Sequence, residues 1–220
     1  MFNKKLLVMM MVPVLVVMSG SLAFSAFEGS ITTNVNTTAG VLSFSQDLSL
    51  VGSDATNTAV TVSCSETGNQ VTVGGPSPGS MPFDLGTLSS SSSSISQTVE
   101  VTNFAPLDYV IIEVTITNTG TVGMTVGWPQ IVSNPAVPSW ETVNNSVYWG
   151  PTNLGWLEGA SGFCYAYYNF APTPTPPVTL APGDSATYYL SIALGSYGNQ
   201  NSLQGSSLSL TLTTDVSSSP

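Results

Sequence analysis

The sequence predicts an all-β protein, a two-sheet antiparallel β-sandwich of the jelly-roll type. Three observations carry that prediction. Apolar and polar residues alternate in short runs, no helical periodicity is sustained over ten residues, and turn-forming clusters separate the runs. The composition agrees, because Thr, Val, Ser, Tyr, Gly and Pro suit pleated strands and the turns between them.

Strands are expected at residues 41–50, 59–64 and 70–73, the last ended by Gly74-Gly75-Pro76-Ser77-Pro78-Gly79. A strand at 97–102 follows the serine run 89–94. Residues 109–117 give the clearest pattern: Val110, Ile112, Val114 and Ile116 form one face, while Ile111, Glu113, Thr115 and Thr117 form the other, which sends Glu113 to solvent. Asn118-Thr119-Gly120 turns the chain into 122–128, and Asn134-Pro135 precedes a short strand at 146–149. Further strands are expected at 163–170, at 186–194 with Tyr188, Leu190, Ile192 and Leu194 on one face, and at 207–213 with Leu208, Leu210 and Leu212 inward. The serine run and the proline-rich stretch 171–177 read as exposed loops, the second extended and polyproline-like.

Lys4 and Lys5, an apolar run over 6–18 and the small residues of Ser19-Gly20-Ser21-Leu22-Ala23-Phe24-Ser25-Ala26 follow the order of a secretory signal, cut after Ala23 or Ser25. An uncut anchor over 6–26 is the alternative. A type IV pilin leader fits less well, because no Gly separates the lysines from the apolar run. The expected organisation is a leader at 1–25, an N-terminal strand at 26–38, a sandwich at 39–216 and a tail at 217–220. The mature protein is expected to be secreted or displayed at the cell surface, without stable membrane association once the leader is removed.

Both basic residues lie in the leader, so the remainder carries all twelve carboxylates and no Lys, Arg or His. A purely anionic chain is repelled by phosphate backbones and anionic lipids, and no nucleic-acid partner is expected. Catalysis is not expected either. Zinc-protease chemistry and Ser-His or Cys-His nucleophile pairs need a histidine, Lys-Asn cross-links need a lysine, and no motif supports a carboxylate pair. No cofactor or metal is implied. Asp47, Asp54, Asp84, Asp108 and Asp184 follow no regular calcium-loop spacing and read as solvated charge.

Cys64 and Cys164 would meet an oxidising compartment after export, and a disulfide between them is expected, with two buried thiols as the alternative. Asn36 and Asn144 stand in N-glycosylation sequons, so a glycoprotein is compatible with the sequence. Trp140, Trp149, Trp156, Tyr148, Tyr165, Tyr167 and Tyr168 crowd one stretch, where they either fill the ends of the sandwich or stack on sugars. The second option describes a cell-surface adhesin or glycan-binding module that does not polymerise.

The most informative segment is the N-terminal strand. Phe27, Gly29, Ile31, Thr33 and Val35 share one face, and the positions between them are polar from Glu28 onward. Such a strand either folds onto its own sheet or completes a neighbour's.

Three motifs bear on that choice. Ala23-Phe24-Ser25-Ala26-Phe27 followed by Thr37-Thr38-Ala39-Gly40-Val41-Leu42-Ser43-Phe44 resembles the start of the camelysin/TasA family of secreted jelly-roll filament subunits, archaeal bundling pilins among them. Val114-Thr115-Ile116-Thr117-Asn118-Thr119-Gly120-Thr121 is similar to that family's strand into an Asn-Thr-Gly turn, and Leu180-Ala181-Pro182-Gly183-Asp184-Ser185 to its Pro-Gly-acidic turn. The resemblance implies a structural subunit of an extracellular pilus or biofilm-matrix filament, a homopolymer in which residues 27–37 are donated to the next subunit in donor-strand complementation, serving cell adhesion. The missing basic residues and the Ser- and Pro-rich loops depart from the family, so filament bundling contacts do not carry over.

Overall fold

A computed structural model of the chain describes residues 40–55, 59–74, 81–136, 142–143, 162–172, 176–195 and 203–219. The chain divides into two units, Met1–Ala39 and Gly40–Pro220, and the described residues belong to the second. They are nearly all strand: β1 (Phe44–Asp54), β2 (Val60–Cys64), β3 (Gln70–Val73), β4 (Phe83–Ser90), β5 (Ser94–Thr102), β6 (Tyr109–Asn118), β7 (Met124–Val126), β8 (Gln130–Asn134), β9 (Thr142–Val143), β10 (Phe163–Ala171), β11 (Val178–Leu180), β12 (Ser185–Leu194) and β13 (Ser207–Ser218).

The strands form two facing sheets, a β-sandwich. The first has the order β4-β1-β6-β12-β10-β9, and the second β11-β7-β13-β5-β2-β3, with β8 paired to β13 beside this path. Neighbours are antiparallel except for the two-residue β9–β10 contact. Alternation places Phe44, Leu48 and Leu50 of β1, Val110 to Ile116 at even positions of β6, and Tyr188, Leu190, Ile192 and Leu194 of β12 in the core, opposite Val99, Val101, Leu208, Leu210 and Leu212. The expected inward faces of β6, β12 and β13 are the observed ones. Ile111, assigned to the outer face, is also buried, and Gly52 lies under it: a Cβ there would stand 3.2 Å from Ile111 Cδ1.

Register shifts interrupt simple alternation in β1 and β4, and a further one lies between Tyr168 and Ala171 of β10. The β1–β6 register shifts between Leu50 and Gly52, which lets β1 continue through Asp54, beyond its expected end at residue 50. The β1–β4 register shifts between Leu48 and Ser49 opposite Gly86, so Leu85 is buried and Leu88 packs on the core although they are three residues apart. The serine run supplies the ends of β4 and β5 with a short exposed turn at Ser91, Ser92 and Ser93 between them. The expected tail is also partly strand: Ser217 and Ser218 pair with Thr125 and Met124, and Ser219 N–H donates to Gly123 O at 2.8 Å.

The expected Cys64–Cys164 disulfide is corrected by the structure, in which both cysteines are buried thiols. Cys64 ends β2 in the second sheet, faces the core and donates to Glu66 Oε2 at 3.5 Å. Cys164 lies in β10 of the first sheet between the inward-facing Phe163 and Tyr165, so the pleat turns it to the other face, toward Ala193 O at 3.7 Å. The first sheet stands between the two sulfurs. A disulfide needs Cα atoms within about 7 Å.

One polar cluster crosses the core. Gln46 Nε2 of β1 donates to Gln97 Oε1 of β5 at 2.9 Å, Gln97 Nε2 to Gly86 O at 3.2 Å, and Thr214 Oγ1 of β13 to Gln46 Oε1. All three side chains are buried. The Tyr188 hydroxyl points beside Thr214 without a hydrogen bond of good geometry, and burial pushes its pKa well above the ordinary tyrosine value. A buried hydroxyl without a partner costs free energy. Tyr188→Phe is therefore expected to stabilise the protein by about 1 kcal/mol at pH 7, measured by thermal melting. The sign at high pH follows from the same burial. Because the folded-state pKa is raised, the unfolded chain releases this proton first, and wild-type stability falls as pH rises above 10.0; Tyr188→Phe flattens that limb.

Candidate assembly site

The Asn-Thr-Gly and Pro-Gly-Asp turns, separate in sequence, meet at one end of the sandwich around Asn118, and the chain from Gly40 onward joins them there. Asn118 ends β6 at an inward-facing position in series with Val114 and Ile116 and is 1% exposed. Its Nδ2 donates to Val122 O at 2.8 Å and to Leu180 O at 3.0 Å, and its Oδ1 accepts from Gly120 N–H at 3.0 Å. Its backbone N–H donates to Asp184 O at 2.9 Å, and its carbonyl accepts from Gly183 N–H at 2.8 Å. One side chain thus ties the Asn-Thr-Gly turn to the Pro-Gly-Asp turn. The latter is shaped by Gly183 at φ +88° and closed by Asp184, which accepts from Ala181 N–H at 3.2 Å through Oδ2.

Gly40 to Ser43 dock on the same knot. Val41 N–H donates to Thr121 Oγ1 at 2.9 Å, Thr121 N–H returns a bond to Val41 O at 2.9 Å, and Thr119 N–H reaches Ser43 O at 3.0 Å. The approach is close enough to require glycine on both sides. A Cβ on Gly40 would lie 1.9 Å from Val122 Cγ1, and one on Gly120 would lie 2.3 Å from Val41 O. Gly40 is also the first residue of the sandwich unit. The knot therefore holds the first residues of the sandwich unit, and leaves Val41 exposed beside it.

The sheet edges differ in how they are finished. At β4 the carbonyls of Asp84 and Leu85 accept from the side chains of Asn69 and Thr67 in the β2–β3 turn, and Gly86 fits under Thr67 with φ +111°. That side is capped. On the other side, β8 pairs with β13 and with no second strand among the described residues. Beside it an aromatic seam joins the sheets: Trp128, between β7 and β8, lies edge-on to Phe170 at 5.1 Å and tilted on Tyr167 at 5.7 Å, and Phe170 stacks on Tyr188 at 4.8 Å. Burial raises the pKa of Tyr165 and Tyr167.

The remaining expected residues are placed as follows. The donor face Phe27, Gly29, Ile31, Thr33 and Val35, the sequon residues Asn36 and Asn144, and Trp140, Tyr148, Trp149 and Trp156 lie outside the described residues. The carboxylates of Asp47, Asp84 and Asp108 accept from Thr87 Oγ1, Gly86 N–H and Ala105 N–H, and so shape strands and turns. No group of three or more His, Cys, Asp and Glu assembles among the described residues. Sequence reading took Asn118 for a turn residue and missed its bridging role. The available signal was its parity, which puts a polar residue on the core face of β6. Comparison with known families, with curated proteins and with solved structures found no match in any of the three.

Proposed function

We propose that the protein is a structural subunit of an extracellular filament, a jelly-roll sandwich that polymerises when residues 26–38 complete the sheet of a neighbouring copy. The observation that carries this reading is the knot at Asn118. It anchors the chain from Gly40 onward to the end of a sandwich whose strands, among the described residues, begin at Phe44. An amphipathic strand joined to a rigid anchor can reach another subunit without loosening its own core.

Strand donation does not hold the filament alone. Ordering about ten residues costs roughly what burial of three apolar side chains and the new main-chain hydrogen bonds return, so the subunit bodies also touch.

The test is negative-stain imaging of the purified mature protein beside a variant lacking residues 27–37. The wild type is expected to form fibres, and the deletion variant to remain monomeric with a similar melting temperature. Wild-type fibres from the deletion variant would refute donation. A wild type that stays monomeric at high concentration and binds polysaccharide would favour the adhesin reading.

A further inference from the structure

We infer that the corner at Leu107, at the end of the sandwich opposite Asn118, is the surface through which one subunit body meets the Val41 end of the next; this rests on the filament reading and supplies its body contact. Leu107 has φ +73°. It and Asn103 are the two non-glycine residues with positive φ among the described residues, and asparagine tolerates that conformation where leucine is strained by it. The strain is held in place by the neighbouring backbone. Leu107 N–H donates to Leu194 O at 2.7 Å and Leu194 N–H to Asp108 O at 3.1 Å, while Asp108 N–H donates to Ala105 O at 3.0 Å and Asp108 Oδ2 accepts from Ala105 N–H at 2.8 Å. Asp108 and Phe104 are buried, whereas Leu107 is 47% exposed. The corner thus stores backbone strain and turns an apolar side chain to water, and neither stabilises an isolated subunit.

A second copy of the chain is the occupant that fits this corner. Of the three exposed large apolar side chains among the described residues, Val132 lies along β8, and Val41 and Leu107 lie at the two ends of the sandwich. β6 starts two residues after Leu107 and ends at Asn118, whose turn holds Val41 through Thr121. Its ten residues set the two ends about 33 Å apart. Residues 26–38 are tethered through Gly40 at the Val41 end, so the copy that takes them is brought to that end, and it meets Val41 with the opposite end of its own body. Joining unlike ends repeats without closing and gives an open filament, whereas joining like ends would stop at a dimer. Every charge after the leader is negative, so attraction between bodies has to come from apolar contact. The carboxylate next to Leu107, Asp108, is turned inward, and the repulsion set by exposed Asp54 and Asp184 near the two ends is screened by salt.

The test uses the full mature protein. Leu107→Asn removes the apolar side chain and puts at φ +73° a residue suited to it, so the melting temperature is expected to hold or rise while the critical concentration for fibre growth rises about tenfold. A merely structural role for Leu107 would not move the two readouts in opposite senses. In parallel, Val41→Cys/Leu107→Cys is assembled into fibres and treated with a short bis-maleimide, the native thiols being buried. The two new thiols are too far apart to be bridged within one copy, so a ladder of covalent oligomers is expected from the double variant and monomer alone from either single variant. Normal fibre growth by Leu107→Asn, no ladder from the double variant, or covalent dimers from Leu107→Cys alone would overturn the contact and leave the filament reading standing. Absence of wild-type fibres would overturn the filament reading itself.

Discussion

Asn118→Ala is expected to destabilise the sandwich by about 3 to 5 kcal/mol, lowering its melting temperature by roughly 6 to 20 °C. The substitution removes three side-chain hydrogen bonds at once and leaves the carbonyls of Val122 and Leu180 and the N–H of Gly120 to find other partners. Asn118 is 1% exposed, so water does not readily replace it. Each buried group left unpaired costs about 1 to 3 kcal/mol, and relaxation of the turns recovers part of the sum. Asn118→Asp keeps the size and the acceptor but loses both donors and buries a carboxylate, so it should be no milder. The loss should also reach assembly, because the same turns hold Val41 and Ser43. Paired melting and fibre-growth measurements check both effects. A loss below about 1 kcal/mol would show that the knot does not depend on this side chain.

Gln97→Leu is expected to cost about 2 to 4 kcal/mol, read from denaturant unfolding. It strands Gln46 Nε2 and Gly86 O inside the sandwich, where Gln46 and Gln97 are both fully buried. Gln46→Leu should act similarly by stranding Gln97 Oε1 and removing the acceptor of Thr214. The double variant Gln46→Leu/Gln97→Leu should cost less than the sum of the two, because each single change leaves an unpaired amide that the double change removes. Additive losses would mean that the two amides are independent. The gain expected from Tyr188→Phe tests the same principle with the opposite sign, since that hydroxyl has no partner to strand.

The elements legible in the sequence are those in which the pleat runs uninterrupted. β6, β12 and β13 each turn an alternating apolar row into the core, which could be named residue by residue, although Ile111 and the Ser191 and Ala193 positions of the opposite faces are buried as well. β4, β8, β9 and β11 were not anticipated: β9 is only two residues long, the strand expected nearby at 146–149 lies outside the described residues, and the other three were missed for separate reasons. The bulge at Gly86 brings Leu85 and Leu88 onto one face although they are three apart, which hides the period of two. β8 is five residues between Pro129 and Pro135, and β11 is three residues after a proline-rich stretch; runs of that length resemble turns until a long partner such as β13 or a neighbour such as β7 pairs with them. The candidate site was legible as two turn motifs and the start of a strand, and was not legible as a site. Turn chemistry depends on local backbone geometry, whereas their meeting at Asn118 depends on strand order.

By itself the sequence determined the class of fold and its charge. Periodicity sets which residues can share a face, and the absence of cations after Lys5 is a matter of composition that no folding can alter. Only the tertiary structure decided which faces meet. It put Cys64 inside the second sheet and Cys164 on the outer face of the first, turned Gln46, Gln97 and Thr214 into an internal network, and brought Gly40, Asn118 and Gly183 into one anchor. These are contacts between residues distant in sequence. Their existence depends on the pairing of strands, which local preference does not specify.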